Sequence, residues 1–219
     1  MMIPIFKESM TKNKLHRTAF FDLGNVILLF CHKKMCNNLA EVCGLPIETI
    51  QTALLKSPLA DLYERGKLGD IQLHEKICEQ FSIDVSQQAF FQAMSDIFTL
   101  NESIIPIIEE LKRNGIELIL LSNTCPAHFN YALKNYPILH LFDKYVLSYE
   151  VGARKPEPEI FLHALSLSSS EIKNCFYTDD IEEFVKSAKT LGIDAHTFTT
   201  TTKLSDALLV RDFLKKTKV

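Results

Sequence analysis

From Asn101 onward, short apolar runs alternate with helical patterns, and this rhythm constrains the fold more than any other feature of the chain. Residues 102–113 read as a helix closed by Asn114-Gly115, 117–121 as a strand, 127–135 as a helix, 145–148 as a strand and 158–165 as a helix. The series continues with a strand at 175–177, a helix at 181–191, a strand at 195–198 and a last helix at 205–215. Strands separated by helices specify βαβ units, hence a parallel sheet with right-handed crossovers.

One earlier run belongs to the same sheet. Thr18-Ala19-Phe20-Phe21 is apolar, reads as a strand over 19–21, and ends in Asp22 followed by Leu23-Gly24-Asn25. From 33 to 98 no stretch reads as a strand. Helical patterns follow one another instead, at 33–43 (ended by Gly44-Leu45-Pro46), 47–56, 61–65 (after a new start at Ser57-Pro58), 70–81 and 85–98. Their apolar stripes, such as Leu54, Leu59 and Leu62 or Phe90, Phe91 and Met94, are those of a packed core. The expected architecture is therefore α/β: a Rossmann-like parallel core from residues 18–32 and 99–219, a helical-bundle cap over 33–98 inserted after the first strand, and an N-terminal extension over 1–17. A length of 219 residues, long for one simple domain and short for two, fits one core carrying an insertion.

Charge narrows the partners. With a net charge of -3 there is no basic excess to attract nucleic acid and no polybasic segment to hold a membrane surface. No run of eighteen apolar residues occurs, and 1–17 lacks a signal-length apolar stretch, so the expectation is a soluble, cytoplasmic protein. The six cysteines form no Cys-x-x-Cys pair and read as buried free thiols of a reducing compartment. Cys125 follows a polar loop, but no motif around it marks a nucleophile.

Parallel strands direct their carboxyl ends to one edge, where open α/β sheets bind ligands. Asp22 ends the first strand there, as a nucleophile, a metal ligand or a turn former before Gly-Asn. Residues 116–121 run into Ser122-Asn123-Thr124, whose hydroxyl and amide suit an anion and also suit an ordinary turn. Lys155 precedes Pro156, which steers it out of helix and into a loop. The strand at 175–177 ends in Thr178-Asp179-Asp180, and two adjacent acids repel unless a cation or a helix N-terminus compensates.

Asp22, Ser122, Lys155 and the Asp179-Asp180 pair, in that order on successive strand ends, resemble the haloacid dehalogenase superfamily. The resemblance is strongest to its phosphatases with a small helical cap after the first strand. It rests on Phe-Asp-Leu-Gly-Asn-Val, Leu-Leu-Ser-Asn-Thr, Arg-Lys-Pro-Glu-Pro-Glu-Ile-Phe and Tyr-Thr-Asp-Asp, and it spans Thr18 to about Phe198. Glu64-Arg65-Gly66-Lys67-Leu68 is similar to the Glu-Arg-Gly stretch of sugar 1-phosphatase-like members.

The resemblance implies a Mg²⁺-dependent hydrolase of a small phosphate monoester, sugar phosphates included, in which Asp22 attacks phosphorus and becomes an aspartyl phosphate. It implies that Asp22, Asp179, Asp180 and the backbone carbonyl of Gly24 hold the metal. Ser122, supported by Asn123, then holds the phosphoryl group, and Lys155 offsets its charge. Two positions depart from the pattern. Gly24 stands where phosphatases of the family carry a second Asp as general acid, a loss worth about 10²- to 10⁴-fold. Three readings stay open: an active enzyme whose proton comes from the cap or whose leaving group needs none, a dehalogenase-like enzyme, and a weak or inactive protein that binds a phosphorylated ligand or a protein partner. Phe184 stands where many relatives have Asn or Asp behind the metal. Within the cap, His32, Tyr63, Glu64 and His74 are the candidates for reading the substrate.

Overall fold

The computed structural model describes residues 16–215, so most of the expected extension at 1–17 lies outside the described residues. Strand β1 (Thr18–Phe21) is followed by β2 (Leu28–Phe30), then by helices α1 (His32–Cys43), α2 (Ile47–Leu55), α3 (Pro58–Glu64), α4 (Asp70–Phe81) and α5 (Gln87–Ser95), then by β3 (Phe98–Leu100). The remainder alternates: α6 (Ile105–Arg113), β4 (Glu117–Ser122), α7 (Pro126–Asn135), β5 (Lys144–Leu147), the short α8 (Ser148–Val151), α9 (Pro158–Leu167), β6 (Cys175–Asp179), α10 (Glu182–Thr190), β7 (Asp194–Thr197) and α11 (Thr201–Val210).

The architecture is α/β, with a parallel sheet in the order β5-β4-β1-β6-β7. β1 is the central strand, and all four of its residues are buried, which is why it reads as a continuous apolar run rather than an alternating one. Its side chains alternate between two cores. Ala19 and Phe21 pack with Leu118, Leu120 and Phe176 on one face, and Phe20 packs with Ile119, Leu121 and Tyr177 on the other. Because Phe21 is level with Leu120 and with Thr178, the residues that follow these three strands emerge side by side.

Helices α1 to α5 enclose a separate apolar core that includes Cys36, Leu39, Ile50, Leu73, Ile77 and Phe90. Local signals set their ends. Gly44, in the left-handed region, closes α1, and the Ser57 hydroxyl accepts from Leu59 N with Pro58 in the first turn of α3.

Two expectations change. The insert is bracketed by β2 and β3, which pair antiparallel as a two-stranded ribbon; three residues each is too short for a period-two signal, and the helix expected to reach 98 stops at Ser95. The last helix stops at Val210 rather than 215, because Asp212 turns into the left-handed region (φ 58°) and folds Phe213 and Leu214 back onto the core. No helix among the described residues is long and apolar enough to cross a membrane.

Candidate active site

Asp22 leaves β1 with its backbone N–H donating to Thr178 O at 3.0 Å, so the sheet ladder itself holds it at the carboxyl edge. Ser122 ends β4, Asp179 ends β6 with Asp180 next, and Lys155 enters from the loop between α8 and α9. The lysine side chain is buried, and its Nζ donates to Asp22 Oδ1 and to Asp179 Oδ2, each at 2.6 Å. Its ammonium also lies 5.2 Å from the centre of the Phe184 ring and 6.0 Å from that of Tyr177. Phe184, where an acid or amide was the expectation, thus presents a ring face to the lysine.

Carboxylate oxygens of Asp22, Asp179 and Asp180 all lie within 4.8 Å of one another. Three acids therefore cluster beside one buried ammonium, which contacts two of them. Burial pushes the Asp22 carboxyl up to about 7, with Asp179 adding to it and Lys155 pulling the other way. Burial likewise raises Asp180, while Asn25 donates to its Oδ2 at 3.1 Å. For Lys155 burial alone would favour the neutral amine, and the charges of Asp22 and Asp179 overcome it and hold the ammonium. A buried set of hard oxygen donors with surplus negative charge fits a divalent cation such as Mg²⁺.

Asp22, Gly24, Ser122, Asn123, Lys155 and Asp180 line one cavity of about 260 Å³. Asp179 stands behind it, fully buried, with Oδ1 accepting from Ile181 N and Oδ2 taken by Lys155 and the Tyr177 hydroxyl. Ser122 is largely unspent, its hydroxyl making only a 3.5 Å contact with Asn123 O. Asn123 differs from expectation. Its amide accepts from Lys155 N at 2.8 Å and donates to Lys155 O at 2.9 Å, so it braces the main chain that carries the lysine and keeps one N–H for the cavity.

Gly24 has room problems of an unexpected kind. Its φ lies outside the left-handed region, yet a Cβ there would sit 2.8 Å from Phe30 Cε1, so the aromatic ring fills the space into which a second carboxyl would project. Four more residues form the outer wall: His32, Glu64, His128 and Arg154. The cap candidates divide accordingly. His32 and Glu64 reach the cavity, whereas His74 packs on Phe90 with Nε2 against Val85 O at 2.7 Å, and the Tyr63 hydroxyl donates to Asp70 at 2.5 Å. Cys125 is buried, which raises its thiol, and it packs in the core of the insert. Asn25 and Arg154 lie in the quoted motifs but carry no site role in the sequence reading, and neither does Phe30; Asn25 has a signal, since Gly-Asn favours the left-handed φ of 55° that aims its amide at Asp180.

The Glu64-Arg65-Gly66 triplet seats the insert on the core. Glu64 meets Arg154 at 2.7 Å, Arg65 makes two hydrogen bonds to Glu157 (2.9 and 2.6 Å), and Asp61 accepts from Arg154 at 2.8 Å. At Gly66, with φ 65°, a Cβ would lie 2.0 Å from Tyr149 O, so only glycine allows this approach.

Residues 16–194 match the family of haloacid dehalogenase-like hydrolases. The chain belongs to that family. Among solved structures, this haloacid dehalogenase-like chain is similar to a HAD family enzyme of Bacteroides thetaiotaomicron in complex with magnesium and inorganic phosphate. The two are 26% identical with a TM-score of 0.75, over 84% of this chain and 94% of that one. It is also similar to a sesquiterpene phosphatase of Aspergillus oryzae, 22% identical over 81% of this chain and 87% of the relative. A drimenol cyclase of Aspergillus calidoustus is 26% identical over 64% of this chain, which spans only 27% of the cyclase's length.

Proposed function

We propose that this haloacid dehalogenase-like hydrolase is a Mg²⁺-dependent phosphatase of a small phosphate monoester, with Asp22 as its nucleophile. One observation carries the reading: Asp22, Lys155, Asp179 and Asp180 converge at the carboxyl edge, with more carboxylate than ammonium and a cavity in front of them. The relatives that are phosphatases and the neighbour holding magnesium and phosphate support it.

Asp22 attacks phosphorus from the sheet edge, the bond from phosphorus to the ester oxygen breaks, and the departing alkoxide takes up a proton. Water then cleaves the aspartyl phosphate, releasing inorganic phosphate and restoring Asp22. Lys155 points the Asp22 carboxylate and favours its ionised form against burial, and it offsets charge on the transferring oxygens; the Ser122 hydroxyl and the free N–H of Asn123 donate to them. Asp22, Asp179, Asp180 and the carbonyl of Gly24 would hold Mg²⁺, which would supply Lewis-acid relief of the repulsion between two anions. Position 24 offers no proton. The insert, as a cap, excludes water from the edge while Glu64 and Arg154 meet across the boundary.

Hydrolysis of acetyl phosphate or an aryl phosphate should depend on Mg²⁺ and fall at least about a thousandfold in Asp22→Asn, with the melting temperature not lowered. Undiminished turnover in Asp22→Asn, or full activity in excess chelator, would overturn the assignment.

A further inference from the structure

A second cavity, of about 320 Å³, lies inside the insert and joins the first at His32, Glu64, His128 and Arg154, which line both. Each helix of the insert supplies part of its wall: Met35 from α1, Leu54 from α2, Leu59 and Ala60 from α3, Leu73 from α4 and Met94 from α5. These helices give one side of the wall an apolar face, polar side chains complete the rest, and the volume holds on the order of ten water-sized groups.

The polar atoms that do reach this chamber are spent on the protein. Asp61 accepts from Arg65 and Arg154. The Tyr63 hydroxyl donates to Asp70 and accepts from Ala127 N at 3.3 Å. The Ser57 hydroxyl donates to Ala53 O and accepts from Leu59 N at 3.2 Å. His128 turns Nε2 to Met94 O at 3.2 Å. The unspent groups are at the neck, where Arg154 Nε and Glu64 Oε2 lack hydrogen-bond partners, although Glu64 Oε2 pairs with the Arg154 charge at 2.7 Å, and where His32 is exposed. A sugar placed beyond the neck, among Met35, Leu54, Leu73 and Met94, would surrender the hydration of its hydroxyls without finding replacements, at a cost of roughly ten- to a hundredfold in affinity for each unpaired group. A hydrocarbon chain loses nothing of the kind.

We propose that this chamber receives the apolar chain of the substrate's alcohol half, so that the enzyme's ester is a phosphate of a hydrophobic alcohol rather than of a sugar. The proposal rests on the phosphatase reading and deepens it: the phosphoryl group sits at Asp22 and Lys155, the ester oxygen passes the neck between Glu64, His128 and Arg154, and the chain lies among Met35, Leu54, Leu73 and Met94. Burying each methylene then tightens binding about three- to fourfold until the chamber is full.

Non-hydrolysable n-alkylphosphonates, from methyl to dodecyl, test this by calorimetry in the presence of Mg²⁺, each affinity being taken relative to inorganic phosphate on the same protein. The expected series climbs about three- to fourfold per carbon and levels off at a length on the order of ten carbons, while glucose 1-phosphate gains nothing over inorganic phosphate. Ala60→Phe, or the milder Ala60→Leu if the first misfolds, should bring the levelling point to a shorter chain. Inorganic phosphate binding with no dependence on chain length, or a levelling point that neither variant shifts, overturns the chamber proposal and leaves the phosphatase reading standing. Absence of phosphate binding together with absence of hydrolysis sinks both.

Discussion

Phe30 decides what a carboxyl at position 24 could do. The backbone of Gly24 would accept an ordinary side chain, but its Cβ would meet the Phe30 ring at 2.8 Å, and the ring is half-buried at the edge of the β2–β3 ribbon. Gly24→Asp alone is expected to cost on the order of 1–3 kcal/mol through overpacking, and Phe30→Ala in the same chain should relieve most of it, as read by urea denaturation. The kinetic consequence follows from the missing proton. In the wild type, kcat/KM should fall steeply as the leaving group becomes more basic, aryl and acyl phosphates being fast and alkyl phosphates slow; in the double variant that slope should flatten. A shallow slope in the wild type would locate the proton elsewhere, and the carboxyl that the insert brings to the cavity is the half-buried Glu64, whose affinity for a proton burial raises.

At the scale of elements, the sheet's amino end is pinned by one acid. Glu117 opens β4 and accepts from Thr18 Oγ1 of β1 at 2.7 Å, from Lys144 Nζ of β5 at 2.7 Å, and from Ser169 N and Oγ at 2.8 and 2.9 Å. Burial alone would raise its carboxyl, but the Lys144 ammonium and the Ser169 and Thr18 hydrogen bonds outweigh it and bring it down to about 2 from an ordinary 4.5. A depressed carboxyl contributes stability that is fully present above its unfolded value and is lost as pH falls through the folded one. Glu117→Gln should therefore destabilise by on the order of 2–3 kcal/mol at pH 7, with the gap from wild type closing toward pH 2. Chemical denaturation at pH 7 and pH 3 checks this, and an equal gap at both would refute it.

Across the whole molecule, the insert and the sheet edge meet through Glu64-Arg65-Gly66. The ion pairs are partly exposed and therefore modest and salt-sensitive, whereas the Gly66 contact with Tyr149 O is steric. Gly66→Ala combines a left-handed backbone, costing about 1–2 kcal/mol for alanine, with a clash that pushes the insert away from the core. Its expected signature is a larger radius of gyration by X-ray scattering and a drop of at least about tenfold in kcat/KM, with the sheet's unfolding transition retained. A variant that scatters and turns over like the wild type would mean that the triplet does not set closure.

Strand-end chemistry was legible without coordinates because direction and period are local properties: a parallel sheet sends Asp22, Ser122 and Asp179 to one edge whatever else the chain does. The α/β class followed from the same alternation, and so did the succession of helices after the first strand. Which groups stay free at that edge depends on contacts between distant residues. Asn123 gives its amide oxygen and one N–H to Lys155, 32 residues away, and Lys155 reaches Asp22 across 133, and neither pairing leaves a trace in local composition. The β2–β3 ribbon was likewise invisible, since two three-residue strands 70 residues apart are too short to be stable by themselves and pair only within the folded chain. The character of the chamber is the most tertiary property of all. Apolar stripes on five helices announce only that they will pack; whether they close completely or leave 320 Å³ beside the cavity at the sheet edge is set by how side chains from all five meet.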